Sequence, residues 1–430
     1  MPFSDRRNAG REVSRDFESH QHKGVRAMKR RTSVLFAALL ILGTVVPPAR
    51  AVTLGGRSST QALWFSDEFG KDHFDLSQSL RFNARQFDKG DTVQVTGYGR
   101  AWADVQEGDG IEGRLYYLYL DKREAVKKTD VRVGRQFFFV SAGSGIVDGA
   151  RLDTRIAGPV AFTLVGGRNV LFDTTGETTR RGDVAAAVQA SLTNIPDGAL
   201  DLSYYVTYDE NDLAKQIVGL SGNKRFGKAG ELYTQVRYDV LSEVFSELQF
   251  GARTAYFPKL TLNAEYFRTI PVFEATSIFS VFAVDRFQEI LLRADYDLTP
   301  KITLNGEYRN ENYGGGDSAN AGEAGLRYRM GNGISVYGAG IWRVGTGGNL
   351  AGFEISGDMV VKKDYLLSAG IQRDSFRREL MTGYDAATRF WGGCEARLRK
   401  NVTASARIED TVSDQVSKDV RARLALNVAF

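Results

Sequence analysis

The sequence predicts an all-β protein: a transmembrane, antiparallel, up-and-down β-barrel of about 22 strands, within a range of roughly 18 to 24, with no plug domain. Three observations predict it. Apolar and polar residues alternate along most of the chain, breaks rich in Gly, Pro and Asp recur at near-regular intervals, and the charges of the alternating runs fall in one phase.

The alternation is legible segment by segment. In Leu260–Tyr266, Leu260, Leu262, Ala264 and Tyr266 face one way while Thr261, Asn263 and Glu265 face the other. Ile302–Tyr308 repeats this almost letter for letter, and Val402, Ala404, Ala406 and Ile408 alternate with Thr403, Ser405, Arg407 and Glu409. A period of two over about ten residues describes a strand with one apolar and one polar face. No stretch sustains the 3.6-residue period of a helix.

The breaks give the strand count. Short ones fall at Asp88–Asp91, Arg123–Thr129, Gly158-Pro159, Pro196–Gly198, Gly227–Gly230, Pro258-Lys259, Thr299–Lys301, Gly331–Gly333, Lys362–Asp364 and Arg399–Asn401. Pro159, Pro196, Pro258 and Pro300 sit in these breaks, where the missing N–H costs a ladder nothing. Between them lie stretches expected to be longer connections: Ser66–Asp75, Glu107–Gly110, Asp173–Asp183, Asn312–Gly322, Gly345–Leu350 and Arg373–Thr382. Short turns on one rim and longer loops on the other are the asymmetry of a membrane barrel. Thr276–Val284 reads equally as a loop or a strand extension. Tyr256, Tyr296, Tyr328 and Tyr365, in the apolar phase beside short turns, are placed for an aromatic girdle.

The polar phase holds Arg81, Arg85, Arg100, Arg132, Arg151, Arg155, Arg237, Arg253, Arg293, Arg309, Arg327, Arg329, Arg407, Arg421 and Arg423. Against these stand Asp130, Asp153, Asp239, Glu265, Asp295, Glu307, Glu323, Glu409 and Asp419. A charge on the lipid face costs roughly 2–4 kcal/mol near the bilayer midplane, so confinement to one phase predicts a wet interior. Fifteen bases against nine acids predict a wall that favours anions, or one stiffened by cross-strand ion pairs. The segment Phe137–Val147 follows directly on a strand and reads in two ways, as a constriction folded into the lumen or as part of the outer girdle.

The first fifty residues read differently. From Met28, Lys29-Arg30-Arg31 precede an apolar stretch, Val34 to Val46, and then Ala49-Arg50-Ala51. A basic start, a short apolar core and a small-x-small site make a cleavable secretory signal over 28–51; the core is too short to span a bilayer as a helix. Residues 1–27 are expected to be a non-native extension, leaving 52–430 as the barrel. Residues 1–51 hold ten Lys or Arg against four Asp or Glu, so their loss turns a formal charge of +4 into −2. The basic excess lies in the address segment, which argues against a nucleic-acid partner.

Composition excludes more. Cys394 is the single cysteine, so there is no internal disulfide, no thiolate metal site and no Cys-x-x-Cys-His for haem. Cys394 shares its phase with Phe390, Gly392 and Ala396 and reads as lipid-facing. After cleavage His73 is the one histidine, in an acidic loop that reads as solvated rather than catalytic. Calcium at Asp67, Glu68, Asp72 and Asp75 lacks any regular ligand spacing, and Gly340–Gly352 lacks the Gly-Lys-Ser/Thr ending of a phosphate loop. No catalytic, metal or cofactor residue is expected.

Val420, Ala422, Leu424, Leu426, Val428 and Phe430 alternate to a terminal aromatic, which resembles the last-strand signal of bacterial outer-membrane β-barrel proteins. Asp130-Val-Arg-Val-Gly-Arg-Gln136 resembles a strand common in porins. The resemblance implies export through the periplasm, insertion by the barrel-assembly machinery with Phe430 as its signal, and contact with outer-membrane lipid and lipopolysaccharide. It also implies a porin-like channel for passive diffusion of small hydrophilic solutes or ions, with weak anion preference. The alternative is a structural sheath around a partner such as a multihaem cytochrome.

Overall fold

Why the chain closes on itself follows from the alternation. One apolar face per strand must meet lipid, and unpaired strand edges are not tolerated there, so the sheet has to end on its own beginning. The computed structural model describes residues 52–430 except 68, 107, 109, 156–157, 175, 193, 228, 278–284, 378–382, 384 and 415–418. Within them the chain forms one closed, 22-stranded antiparallel sheet.

The strands are β1 (Thr53–Ser66), β2 (Asp72–Arg85), β3 (Val93–Asp104), β4 (Glu112–Val126), β5 (Thr129–Val140), β6 (Gly143–Arg155), β7 (Val160–Asn169) and β8 (Val184–Leu192). Next come β9 (Gly198–Asp209), β10 (Asp212–Arg225), β11 (Glu231–Asp239), β12 (Val244–Thr254), β13 (Leu260–Thr269), β14 (Phe287–Thr299) and β15 (Ile302–Gly314). The last are β16 (Asp317–Met330), β17 (Ile334–Gly345), β18 (Asn349–Val361), β19 (Tyr365–Arg377), β20 (Asp385–Arg399), β21 (Val402–Ser413) and β22 (Asp419–Ala429).

Each strand pairs with its sequence neighbours, and β22 returns to β1 in a register from Arg57 opposite Ala429 to Trp64 opposite Ala422. The seam is tied at its end by Gly56 N–H to the Phe430 carbonyl at 2.8 Å and Phe430 N–H to the Gly56 carbonyl at 3.0 Å. Strand one starts at Thr53, with no domain between residue 52 and the wall.

All ten short breaks fall at strand junctions, though at Arg123–Thr129 the strands themselves run on to Val126 and resume at Thr129, so the turn there is only 127–128. The rim opposite the chain ends differs from expectation. Asn312–Gly322 is almost all strand, turning over Gly315-Gly316, and Gly345–Leu350 contributes only a tight turn at 346–348. Ser66 and Asp72–Asp75 are likewise strand. Glycines and polar residues there extend the hairpins above the membrane band, where a strand needs no apolar face. The long connections are 170–183 and 270–286, and of Thr276–Val284 the part 278–284 lies outside the described residues.

Turn chemistry is clearest at 86–92. Asp88 accepts Thr92 N–H at 2.7 Å, the Thr92 hydroxyl, and Lys122 Nζ at 3.1 Å. These bonds, the Thr92 hydroxyl first, hold the Asp88 carboxyl well below the usual carboxylate range despite some loss of water.

Candidate functional site

Cross-strand partners share a face, so the register assigns every strand residue to one of two sides. One side holds the exposed large apolar residues, among them Leu164, Phe250, Leu292, Tyr296, Leu304, Tyr328, Phe353, Tyr365 and Leu424. On the other, side chains reach across an intervening strand. Tyr233 Oη of β11 donates to Glu265 Oε2 of β13 at 2.6 Å, and Arg343 Nη2 of β17 donates to Glu311 Oε2 of β15 at 3.0 Å. Such contacts form where side chains converge, on the concave, inner face.

The fifteen arginines and Glu307 named from the sequence all lie on that inner side. The structure brings several into ion pairs: Arg132 with Asp121 at 2.6 Å, Arg151 with Asp153 at 2.8 Å, Arg155 with Asp130 at 3.8 Å and Arg237 with Glu247 at 2.7 Å. Arg293 and Arg309 both bind Glu307, Arg407 meets Glu409 at 3.2 Å, and Arg421 meets Asp419 at 2.8 Å. Arg85 donates to Asn83 at 2.5 Å and Arg329 to Thr303 at 3.1 Å, and Arg253 stands opposite Glu231. Among the described residues Arg81, Arg85, Arg100, Arg253, Arg327, Arg329 and Arg423 make no ion pair; Arg423 donates to Gln61 at 2.8 Å.

Like charges stand opposite each other along one arc of wall, from β21 through β1 to β6. The pairs are Arg407 with Arg423, Arg57 with Arg81, Arg100 with Arg114, and Arg132 with Arg151. Directly opposed like charges destabilise a sheet; Asp121, Asp153 and Glu409 offset this at Arg132, Arg151 and Arg407, while Arg57, Arg81, Arg100, Arg114 and Arg423 have no carboxylate partner among the described residues.

Several inner residues escaped the sequence reading. Arg57, Arg114, Arg225, Arg343, Arg389 and Arg397 join the bases, while Asp75, Asp104, Glu112, Asp121, Asp201, Glu231, Glu247, Glu289, Asp297, Glu311, Glu354, Asp358, Asp374 and Glu395 join the acids, so the excess of base that fifteen to nine implied is gone for the described inner face as a whole. A bulge opposite Tyr98/Gly99 places Tyr116 and Tyr117 on the same side. Tyr98 stacks on Tyr116 with centroids 4.9 Å apart, Tyr117 lies 5.7 Å from Tyr119, and the Arg132 guanidinium sits 4.1 Å over Tyr119. The bulge breaks the period of two, and with it the signal.

The segment Phe137–Val147 resolves to the lumen. The β5–β6 hairpin leaves the wall, and its tip, Ser141-Ala142, crosses to the inner faces of β8 to β11. Ser141 N–H donates to Gln189 Oε1 at 3.0 Å, and its hydroxyl lies 2.7 Å from that of Ser221. The Ser141 carbonyl accepts from Gln235 at 2.5 Å and Arg237 at 3.0 Å, and Ala142 N–H donates to Ser203 Oγ at 2.6 Å. Gly219 lies under this tip, where any Cβ would run into the Ser141-Ala142 backbone. Below the tip Phe138, Val140, Val147, Val165, Ala185, Ala187 and Tyr205 form the buried core, with Ile217 against it.

A row of glycines explains the bend. Gly134, Gly149 and Gly167 are opposite one another across β5, β6 and β7, on the inner side, just below the point of departure. Without side chains the sheet can fold onto its own inner face, and Gly134 takes a φ of 126° that L side chains rarely adopt.

His73 sits at the opposite rim from the chain ends, stacked on Phe65 at 4.9 Å, with Nδ1 2.6 Å from Asp104 and Nε2 3.4 Å from Asp67. Cys394 lies on the outer side opposite Leu367.

No protein-family model matches this sequence, and no curated protein does. Solved structures do. The P pilus usher (PapC) translocation pore is 10% identical with a TM-score of 0.50, over 87% of this chain and 99% of that one. OccAB3 from Acinetobacter baumannii is 11% identical with a TM-score of 0.45, over 89% of this chain and 100% of that one. A BenF-like porin from Pseudomonas fluorescens is 11% identical with a TM-score of 0.47, over 88% and 98%. At such identities the likeness is one of fold. With an apolar exterior, a charged interior and a closed 22-stranded wall, the chain has the fold of an outer-membrane β-barrel.

Proposed function

We propose that this barrel is a passive diffusion channel for small hydrophilic solutes and ions, weakly favouring anions, with its bore set by the β5–β6 hairpin. One observation supports this most. The hairpin fills only the β5–β11 side of the lumen, and the rest is faced by charged side chains, among them seven arginines (Arg81, Arg85, Arg100, Arg253, Arg327, Arg329 and Arg423) that make no ion pair among the described residues. The opposed arginine pairs add fixed positive charge on one arc, which raises the local concentration of anions. The same hairpin weighs against a sheath for a multihaem cytochrome, because it takes up space that such a partner would need. Cleavage after Ala51, insertion by the assembly machinery through Phe430 and contact with lipopolysaccharide belong to the same proposal.

Vesicles that hold the purified barrel should swell in small sugars at rates that fall with solute size. Under a KCl gradient the reversal potential should have the sign of chloride preference, and Arg57→Gln/Arg81→Gln should move it towards zero. Size-independent swelling, or a cation-selective potential, would contradict the proposal.

A further inference from the structure

Among the described residues the wall is interrupted beside β4. The β4–β5 ladder ends where Leu118 faces Arg135, yet β4 continues to Glu112, still paired with β3, and β5 continues to Val140 inside the lumen. On the other flank the β6–β7 ladder ends where Val147 faces Asn169. Above this level β5 and β6 are missing from the wall. Residues 112–117 of β4 therefore present a strand edge with no strand beside it.

The β7–β8 connection spans the opening. Phe172 bridges to Glu177, Thr178 N–H donates to the Leu171 carbonyl at 3.0 Å, and Asp173 N–H donates to that of Gly176 at 2.9 Å. Among the described residues no backbone hydrogen bond joins this connection to 112–117. Side chains do so instead. Arg114 Nη2 donates to the Asp173 carbonyl at 2.7 Å, and its guanidinium lies 4.7 Å over the Phe172 ring. Arg135 reaches the Leu115 carbonyl at 3.2 Å and Glu177 at 2.9 Å, and Arg168 lies 3.8 Å from Glu177. Below the interruption β3 to β7 are joined by continuous backbone ladders, which cannot open one contact at a time.

The approach to the opening is aromatic. Phe137 and Phe139, 47% and 67% exposed with centroids 5.8 Å apart, stand on the hairpin face opposite the buried Phe138. Tyr98, Tyr116 and Tyr117 line the neighbouring inner wall, and Tyr116 lies 6.2 Å from Phe172. Solvent-exposed phenylalanines inside a water-filled bore gain nothing from water, whereas beside a side opening they suit an apolar passenger.

We propose that this interruption is a lateral portal, latched by Glu177 with Arg135 and Arg168 and by Arg114 on Phe172, through which apolar or amphiphilic molecules pass between the lumen and the lipid leaflet. It goes beyond the axial channel and needs only that the barrel have a lumen.

The test asks whether lipid reaches the lumen. In a Cys394→Ala background, bimane is attached at Phe139→Cys or, as a control on the inner wall of β12, at Gln249→Cys. The full barrel is reconstituted in phosphatidylcholine vesicles containing acyl-chain doxyl phosphatidylcholine, with and without Glu177→Gln. Heat-shifted gel mobility verifies folding. The portal requires that Phe139→Cys bimane be quenched several-fold more than the control in the Glu177→Gln protein. Equal quenching at the two sites overturns it. Conductance of the same preparations reports the axial channel separately: current without selective quenching overturns the portal alone, and selective quenching without current overturns the channel alone.

Discussion

Replacing Phe138 with alanine tests whether the hairpin narrows the bore. Phe138 is 1% exposed and meets Tyr205 edge-on, with centroids 5.7 Å apart, inside the one buried apolar cluster of the described residues. Truncating a buried Phe costs about 3–5 kcal/mol when the site cannot collapse. This site is flanked by backbone ladders on β7 to β9 that cannot move in to fill it. At about 1.4 kcal/mol per tenfold, the ratio of docked to undocked hairpin should fall by roughly 10² to 4 × 10³. The hydrogen bonds at Ser141-Ala142 remain, each contributing a net ~0.5–1.5 kcal/mol, so the tip should visit the undocked state rather than leave for good. The wall does not depend on this region of β5 and β6, and the barrel should still fold. Single-channel recordings should then show frequent excursions to a higher conductance in Phe138→Ala. Phe139→Ala, on the exposed face of the same hairpin, should not show them. A folded Phe138→Ala protein with the parent's conductance and noise would refute the reasoning.

Three further outcomes follow from the geometry. Ser141→Cys/Ser221→Cys, built in Cys394→Ala, should form a disulfide on folding because the two hydroxyl oxygens are 2.7 Å apart; free thiols in the folded barrel, by thiol-reactive mass labelling, would place the tip elsewhere. Deleting Phe430 removes the two backbone bonds that end the β22–β1 seam and the ring against Gly56, and should cut the yield of heat-modifiable barrel in the outer membrane; an unchanged yield would contradict its role in closure. Asp88, its pKa depressed chiefly by the Thr92 hydroxyl, should contribute turn stability that is complete above the ordinary carboxylate pKa and lost only as pH falls through the lower folded value. Amide exchange at Thr92 and Val93, corrected for intrinsic rate, should thus stay slow at pH 4 in the parent but not in Asp88→Ala; early loss of protection in the parent would show that the carboxyl is not held.

The barrel was legible because one rule, lipid outside and water inside, acts on every strand. Leu260–Tyr266 and Ile302–Tyr308 give a phase that any neighbour must share, and prolines confined to turns mark where the phase resets. Local departures were less legible. Tyr116 and Tyr117 fall on one side only because a bulge adds a residue, and alternation read across it assigns the wrong face. Asn312–Gly322 looks like a loop because strands beyond the bilayer need no apolar face. The hairpin is the hardest case. Phe137 to Val147 alternates the same way whether it stands in the wall or lies across the lumen, since the period is a property of the strand and not of its destination. The available signal was the glycine at the matching level of three successive strands, Gly134, Gly149 and Gly167, which becomes visible only once the register is known. The acids were undercounted for a related reason at Glu289 and Glu311, which lie near strand ends where the alternation fades; Glu354 lies mid-strand, between the outward Phe353 and Ile355, and was legible.

The central claim, an open channel through a barrel narrowed from within, is tested most directly by planar-bilayer recording of the purified, folded protein in KCl. The account predicts stable, near-ohmic single-channel steps with a reversal potential of anion sign under a salt gradient. A preparation that passes the heat-shift test of folding and still conducts nothing would contradict it.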